Sequence, residues 1–187
     1  NAAQCYAWLH DVTSPLEFGP QRLNRLTGVM FLSKFHRSLC PNVPDTQAWV
    51  TGNGIDPAQF DQKVDRKRNR AIYTSAPDRG FELLLSLWPK VREQVSDAEL
   101  HWYYGWQTFD KINGGNIERM EWKKKLLARA EATEGVFGGE RLPSDKIAQA
   151  MMEASVWAYP TEFPEISCIS AMKAQAAGCI PVCTDTA

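Results

Sequence analysis

The chain has no CxxC pair, no long apolar run and almost no net charge, and each absence removes a class of function. Its five cysteines, Cys5, Cys40, Cys168, Cys179 and Cys183, are odd in number and irregular in spacing, which argues against a disulfide framework or a structural zinc site. They are expected to be reduced, buried, small apolar residues of a cytoplasmic protein, with Cys179 and Cys183 flanking a strand. The three histidines, His10, His36 and His101, are too few and too scattered for a metal cluster. Lys and Arg total 21 against 22 Asp and Glu, a net charge of −1. This removes bulk basicity as an argument for a nucleic acid or an anionic membrane as partner. No apolar stretch approaches the roughly 20 residues that span a bilayer. There is no initiator Met, and no basic region followed by an apolar stretch and a cleavage site. The chain starts in mid-pattern at Asn1 and stops at Ala187 just after a strand-like run, so it is expected to be cut from something longer. Also missing are a GxGxxG after the first strand and a P-loop, so any phosphate must be bound another way.

What is present is an ordinary globular composition over 187 residues, 44% hydrophobic and 23% charged, long enough for one sizeable domain or two small ones. Buried-type strands are predicted at 27–33 and 47–51, with a short helix at 34–39 stopped by Pro41. Residues 56–69 are polar and rich in charge, so a linker and domain boundary are placed there. Beyond it, strands at 71–74, 99–105, 135–139, 156–159 and 180–184 alternate with helices at 81–95, 116–129, 144–154 and 166–177. Leu83, Leu84, Leu87, Trp88 and Val91 recur at helical spacing in the first of these helices, and Ile147, Ala150 and Met151 face inward in the third. Asn116 and Ser144 are the predicted N-caps, and Gly178 the left-handed C-cap. Strand–helix units of this length imply an α/β fold, a Rossmann-like parallel sheet with helices on both faces and right-handed crossovers. Ligands of such sheets sit beyond the carboxyl ends of the strands. The loops that matter are therefore 75–80, 106–115, 138–143 and 160–165.

The stretch from Tyr159 to Asp185 resembles the signature of group-one, family-four-like glycosyltransferases of the GT-B fold. The residues that carry it are Pro160-Thr161, Glu165, Ala174-Gln175-Ala176-Ala177-Gly178 and Pro181-Val182. Asn53-Gly54-Ile55-Asp56 with Phe60 resembles the family's interdomain crossover. The segment from Tyr73 to Leu85 resembles the loop where a basic residue and Gly open the first donor-domain helix. Trp8-Leu9-His10-Asp11 resembles the strand end of the acceptor-side domain. The order of these pieces implies three parts: residues 1–55 as the end of an acceptor-side Rossmann-like domain, 56–69 as linker, and 70–187 as a truncated donor-binding domain.

The resemblance implies a retaining hexosyltransferase of polysaccharide biosynthesis. It would act from a nucleotide-diphosphate sugar, which is substrate and not cofactor, to a carbohydrate or lipid-linked acceptor. No obligatory metal is expected, in keeping with the lack of a DxD-like motif. Donor contacts are expected at Ser75, Arg79 and Gly80, and at Thr161, Glu165, Ile166 and Lys173. Trp106 or Phe109 would stack on the base, and Glu165 and His10 would be the catalytic positions. The N-terminus of the 166–177 helix offers amides to the diphosphate, and Arg79 a guanidinium. Glu165 accepts from sugar hydroxyls, or else simply caps its helix. Lys173 stands where the family has a second Glu. Eight residues on one helix are about 12 Å apart and turned by roughly 80°, so both side chains would face one cleft. Ser75 lies where many relatives carry a second cation. A non-catalytic relative that binds a sugar or partner, and a nucleotide-sugar epimerase on the same fold, are the competing readings. The run Lys123-Lys124-Lys125 reads as a solvated helix face, or as peripheral contact with anionic headgroups at the inner membrane face.

Overall fold

The computed structural model describes residues 3–12 and 14–186; Asn1 and Ala187, the outer limits of the predicted domains, lie outside them. Two compact units are present. One comprises the chain up to Ile55 together with Pro164–Ile169, and the other comprises Asp56–Phe163 and Ser170–Thr186.

The first unit is a three-stranded parallel sheet in the order β1 (Tyr6–Trp8), β2 (Gly28–Phe31), β3 (Ala48–Val50). Val29 pairs with Ala7 on one side and Ala48 on the other. The crossovers carry α1 (Pro20–Leu23) and α2 (Lys34–Ser38). Alternation along β2 sends Val29 and Phe31 to the helix side, where they are fully buried with Phe18, Leu23, Cys40 and Val43. Ser33 N-caps α2 by accepting from the His36 amide at 3.0 Å. The His36 ring is itself fully buried. Leu32 N–H donates to Nδ1 at 3.2 Å, which leaves the ring proton on Nε2, 3.2 Å from the Asp11 carbonyl. Only the neutral ring satisfies both contacts, and burial holds the His36 pKa below its ordinary value. The unfolded chain therefore takes up this proton first as pH falls. His36 supports folding fully above the ordinary histidine pKa of about 6.5 and loses that support as pH drops through it. The melting temperature is expected to fall between roughly pH 7.5 and pH 5.5, and less steeply in His36→Gln. An identical slope in the variant would remove His36 as the cause.

The second unit is a five-stranded parallel sheet of β4 (Lys67–Tyr73), β5 (Glu99–Trp102), β6 (Val136–Gly138), β7 (Ala154–Tyr159) and β8 (Ile180–Cys183), in the order β6-β5-β4-β7-β8. The helices are α3 (Phe81–Gln94), α4 (Gln107–Asn113), α5 (Ile117–Ala132), α6 (Ser144–Glu153) and α7 (Ile169–Ala176), whose first residue groups with the other unit. The fold is thus α/β, with Rossmann-like parallel sheets flanked by helices. Ile72, Tyr73, Phe81, Leu85, Leu100, Met151 and Trp157 form the centre of its core, each at most 1% exposed.

Several boundaries differ from those predicted. Residues 56–69, expected as a linker, carry structure of their own. Asp56 caps a 3-10 turn over Pro57–Phe60 through the Ala58 amide, and β4 already begins at Lys67. Its charges answer to distant groups, which local composition does not show. The Arg66 guanidinium bonds the carbonyls of Ala154, Ala177 and Gly178 at 2.6, 2.5 and 2.9 Å. Arg70 reaches Glu99 at 2.8 Å and Glu153 at 3.1 Å, and its hydrogen bond holds the Glu99 carboxyl below the usual range. In α3 the inward row is Phe81, Leu84, Leu85 and Trp88, whereas Leu83, Leu87 and Val91 are exposed. Phe81, buried against Trp102 with ring centroids 4.4 Å apart, sets that rotation. In α6 it is Ala148, Met151 and Met152 that are buried, and Pro143 rather than Ser144 holds the N-cap position. Asn116 caps α5 as expected, accepting from the Arg119 amide at 3.0 Å. Gly178 ends α7 at φ +80°. Cys40 and Cys179 are buried, but Cys5 and Cys183 are exposed; Cys183 is open because every residue of β8 is exposed on an edge of the sheet.

The predicted helix from Ile166 begins three residues later, at Ile169. The Ser167 carbonyl accepts from Asn53 Nδ2 at 3.0 Å, an alternative to a helical amide partner, and Pro164–Ile169 packs with the first unit. Tertiary contact overrides local propensity here.

Candidate functional site

β4 opens the second unit, the next two strands lie on one side of it, and the last two lie on the other. The order reverses between β4 and β7, and the crevice of a parallel α/β sheet forms beyond the carboxyl ends at such a reversal. The loops that border it are 74–80, after β4, and 160–163, after β7.

Both loops are held by a closed set of bonds. The Tyr73 hydroxyl donates to the Ala76 carbonyl at 2.6 Å, and burial pushes its pKa well up, so it stays a donor. Arg79 N–H also reaches that carbonyl, at 2.9 Å. Thr74 accepts from Trp157 Nε1 through its hydroxyl at 3.2 Å and from the Ser170 hydroxyl through its carbonyl at 3.4 Å. Ser75 donates to the Tyr159 hydroxyl at 3.2 Å. Across the crevice Thr161 is buried. Its hydroxyl accepts from Phe163 N–H at 3.0 Å, and its carbonyl from the hydroxyls of Thr184 and of Thr186, the latter at 3.0 Å. Asp78 pairs with Arg119 of α5 at 2.8 Å, which ties the first loop to the next crossover.

The two loops touch at Gly80. It adopts φ +102°, and a Cβ built on it would lie 1.9 Å from the Pro160 carbonyl oxygen. Only glycine tolerates that backbone at that separation. Gly80 is also the N-cap of α3 and has no side chain with which to cap it, while the Phe81 amide donates to the Tyr73 hydroxyl. The positive end of the α3 dipole therefore lies at the crevice. Beside it Arg79 lays its guanidinium over the Phe163 ring, 3.7 Å from the centroid. An arginine at a helix N-terminus is electrostatically unfavourable for the helix alone, whereas amides plus guanidinium suit a phosphate-bearing ligand.

The structure thus brings Ser75, Arg79, Gly80 and Thr161 together. The N-terminus of α3 lies at the crevice, and Ser170 in the first turn of α7 reaches the Thr74 carbonyl of the bordering loop, although α7 begins at Ile169 and not at Ile166. Glu165, half-buried, and Ile166, buried, lie before α7 in the segment that groups with the first unit. Glu165 and Lys173 therefore do not share a helix, and the expected helical spacing between them does not apply. Lys173 is half-buried on α7. His10 is exposed in the first unit, two residues past β1, with the Trp8 ring 4.6 Å away. Trp106 and Phe109 are not on an open loop. Residues 107–113 form α4, and both rings are buried. Trp106 meets Phe109 edge-on at 5.2 Å and Trp122 at 6.0 Å, while Trp102 lies 6.3 Å away. Arg119 and Lys123 cover this cluster, and Lys123 pairs with Asp110 at 2.6 Å. Lys123 of the basic run is thus bound into the fold. Sequence reasoning missed Phe163; its signal was an aromatic residue in a polar loop directly after a strand. Among the described residues no group of three or more His, Cys, Asp and Glu is placed to hold a metal ion, and no helix is long and apolar enough to cross a membrane.

No protein-family model matches the chain, and no curated protein matches it either. Solved structures do. Anabaena HepE in complex with UDP and glucose superposes with a TM-score of 0.72 at 15% identity, over 96% of this chain and 52% of that one. A glycosyltransferase from Rickettsia africae gives 0.75 at 13% identity, over 96% and 51%. The pneumococcal O-GlcNAc transferase GtfA, in complex with UDP and GlcNAc, gives 0.70 at 11%, over 98% and 38%. At these identities the likeness is one of fold, and the chain spans about half the length of the first two structures.

Proposed function

We propose that this chain is the donor-binding portion of a group-one, family-four-like glycosyltransferase that moves a hexose, with retention, from a nucleotide-diphosphate sugar to a carbohydrate or lipid-linked acceptor. The observation that carries the reading is the crevice between β4 and β7, where Arg79 and the N-terminus of α3 lie together. The fold it shares with structures holding UDP supports it. Charge grows on the departing diphosphate as the glycosidic bond to it breaks. Fixed donors aimed at that charge lower the barrier, and Arg79 and the α3 amides are such donors. Glu165 takes sugar hydroxyls in this reading, and His10 orients a hydroxyl. No obligatory metal is assigned, and contact with a membrane is at most peripheral.

The test is calorimetric titration of the chain with UDP, GDP and ADP and their hexose conjugates. One diphosphate series is expected to bind. Arg79→Ala should weaken it about 10- to 100-fold, the worth of a charge-assisted hydrogen bond to phosphate. Glu165→Ala should weaken the sugar conjugate more than the free diphosphate. Unchanged affinity in both variants would overturn the site. Lys173, in place of an acidic residue, favours a second reading, a relative that binds the donor without transfer. A single glycosylated product in a mass-spectrometric acceptor screen would exclude it.

A further inference from the structure

We infer that Arg119 and Trp122 of α5 are positioning residues for the crevice: they hold the carboxylates of Asp78 and Glu82, and so leave the N-terminus of α3 to an anionic ligand. This rests on reading the crevice as a donor site. Asp78 and Glu82 each stand two residues from Gly80, the N-cap of α3. A carboxylate so close to a helix N-terminus is drawn to its amides and its dipole. Both are engaged on α5 instead. Arg119 donates to Asp78 at 2.8 Å, and Trp122 Nε1 donates to Glu82 at 2.8 Å. The helix end is within reach of Asp78 all the same. Burial chiefly raises the Tyr73 pKa and the charge of Asp78 adds to it, at the hydroxyl that accepts from the Phe81 amide. The two donors are three residues apart, on one face of α5, and that face rests on the aromatic cluster. Arg119 Cζ lies 5.0 Å from the Phe109 centroid and 4.9 Å from that of Trp122. Trp122 packs on Phe109 at 5.5 Å and on Trp106 at 6.0 Å, and those two rings are buried.

The side chains of Arg119 and Asp78 are each more than one-third exposed, and an ion pair that open adds little to stability. Its consequence is local electrostatics. A diphosphate brings several negative charges to the crevice. An unneutralised carboxylate beside the α3 N-terminus repels them and competes for the same dipole. Arg119 cancels the charge of Asp78, whereas Trp122 ties Glu82 in place and leaves its charge. Arg119 therefore counts for more than Trp122, and it acts through Asp78 rather than by touching the ligand. Loss of Arg119 frees Asp78, and the penalty vanishes once Asp78 loses its own charge. A contact that merely braced the loop behaves differently, because removing either partner breaks it equally.

The experiment is a double-mutant cycle read by calorimetric titration with UDP, GDP and ADP. Arg119→Gln is expected to weaken the preferred diphosphate about three- to tenfold. Asp78→Asn alone should bind it as tightly as the unsubstituted chain, or up to about threefold more tightly. The two substitutions together should return to within about twofold of the unsubstituted chain. Arg119→Lys, which keeps a cation beside Asp78, should also stay within about twofold. Trp122→Phe keeps a ring and loses the donor; it should cost about twofold, and Glu82→Gln should restore the loss. Melting curves of every variant separate lost affinity from lost folding. The inference is overturned if folded Arg119→Gln keeps full affinity. It is equally overturned if Asp78→Asn weakens binding as much as Arg119→Gln and the double variant is not rescued, the mark of a structural brace. An unsubstituted chain that binds none of the three nucleotides removes the donor-site reading itself, and this inference with it.

Discussion

Gly80→Val is expected to abolish nucleotide binding and to lower the melting temperature by about 6–12 °C. Two penalties act at one atom. Valine at φ +102° occupies left-handed backbone at a cost of roughly 1–2 kcal/mol. Its Cβ would lie 1.9 Å from the Pro160 carbonyl oxygen, and backbone cannot move aside as a flexible side chain does; overpacking of this kind costs about 1–3 kcal/mol. The sum, about 3 kcal/mol, corresponds to some 6–12 °C at this chain length. The loops relieve the clash by separating, which moves the α3 amides and Arg79 from one wall of the crevice and Phe163 from the other. Binding should be measured below the variant's own transition, by calorimetry with circular dichroism as the check on folding. A folded Gly80→Val that retains nucleotide affinity would show that the contact between the two loops does not build the site.

Trp157→Ala should destabilise the second unit by about 3–5 kcal/mol, as expected for deletion of a buried aromatic side chain. Trp157 is 1% exposed in the middle of β7, with the Tyr159 ring 5.0 Å away. It pairs across to Ile72 of β4, so the cavity would open on the face of the sheet beside the two strands that border the crevice. Its indole N–H also donates to the Thr74 hydroxyl at 3.2 Å, within the core. Phe in its place keeps most of the volume, and loses that bond, for about 1 kcal/mol, together with a smaller cavity term. Urea denaturation of both variants separates the two contributions. Equal effects would mean that the hydrogen bond, not the packing, dominates at this position.

The fold was legible where local pattern carries it. The apolar runs at β2, β5 and β7, the caps at Asn116 and Gly178, and the alternation of strand with helix were enough to reach a parallel α/β sheet. The strand-end rule then pointed to the loop after β4 and the loop after β7. Arg79 and Gly80 were singled out by resemblance to the loop that opens the first donor-domain helix, and the structure places both at the start of α3, with Gly80 against Pro160. Trp106 and Phe109 were misread because a Gly-flanked, polar-looking segment hid the short helix α4. Their burial depends on Trp102 and Trp122, which are distant in sequence or lie on another element.

The amino-acid sequence by itself determined backbone state and fold class, since hydrophobic period, glycine and proline act within a few residues. Tertiary structure alone decided where α7 begins and to which unit Glu165 and Ile166 belong. It also decided which charges between Asp56 and Arg70 are bound into the sheet. Each of these is settled by a partner far along the chain: Asn53 for Ser167, the carbonyls of Ala154, Ala177 and Gly178 for Arg66, and Phe163 for Arg79. A hydrogen bond or a ring contact across more than 80 residues leaves no period in the sequence, so the strand-end loops could be placed from the sequence but the contacts that hold them could not.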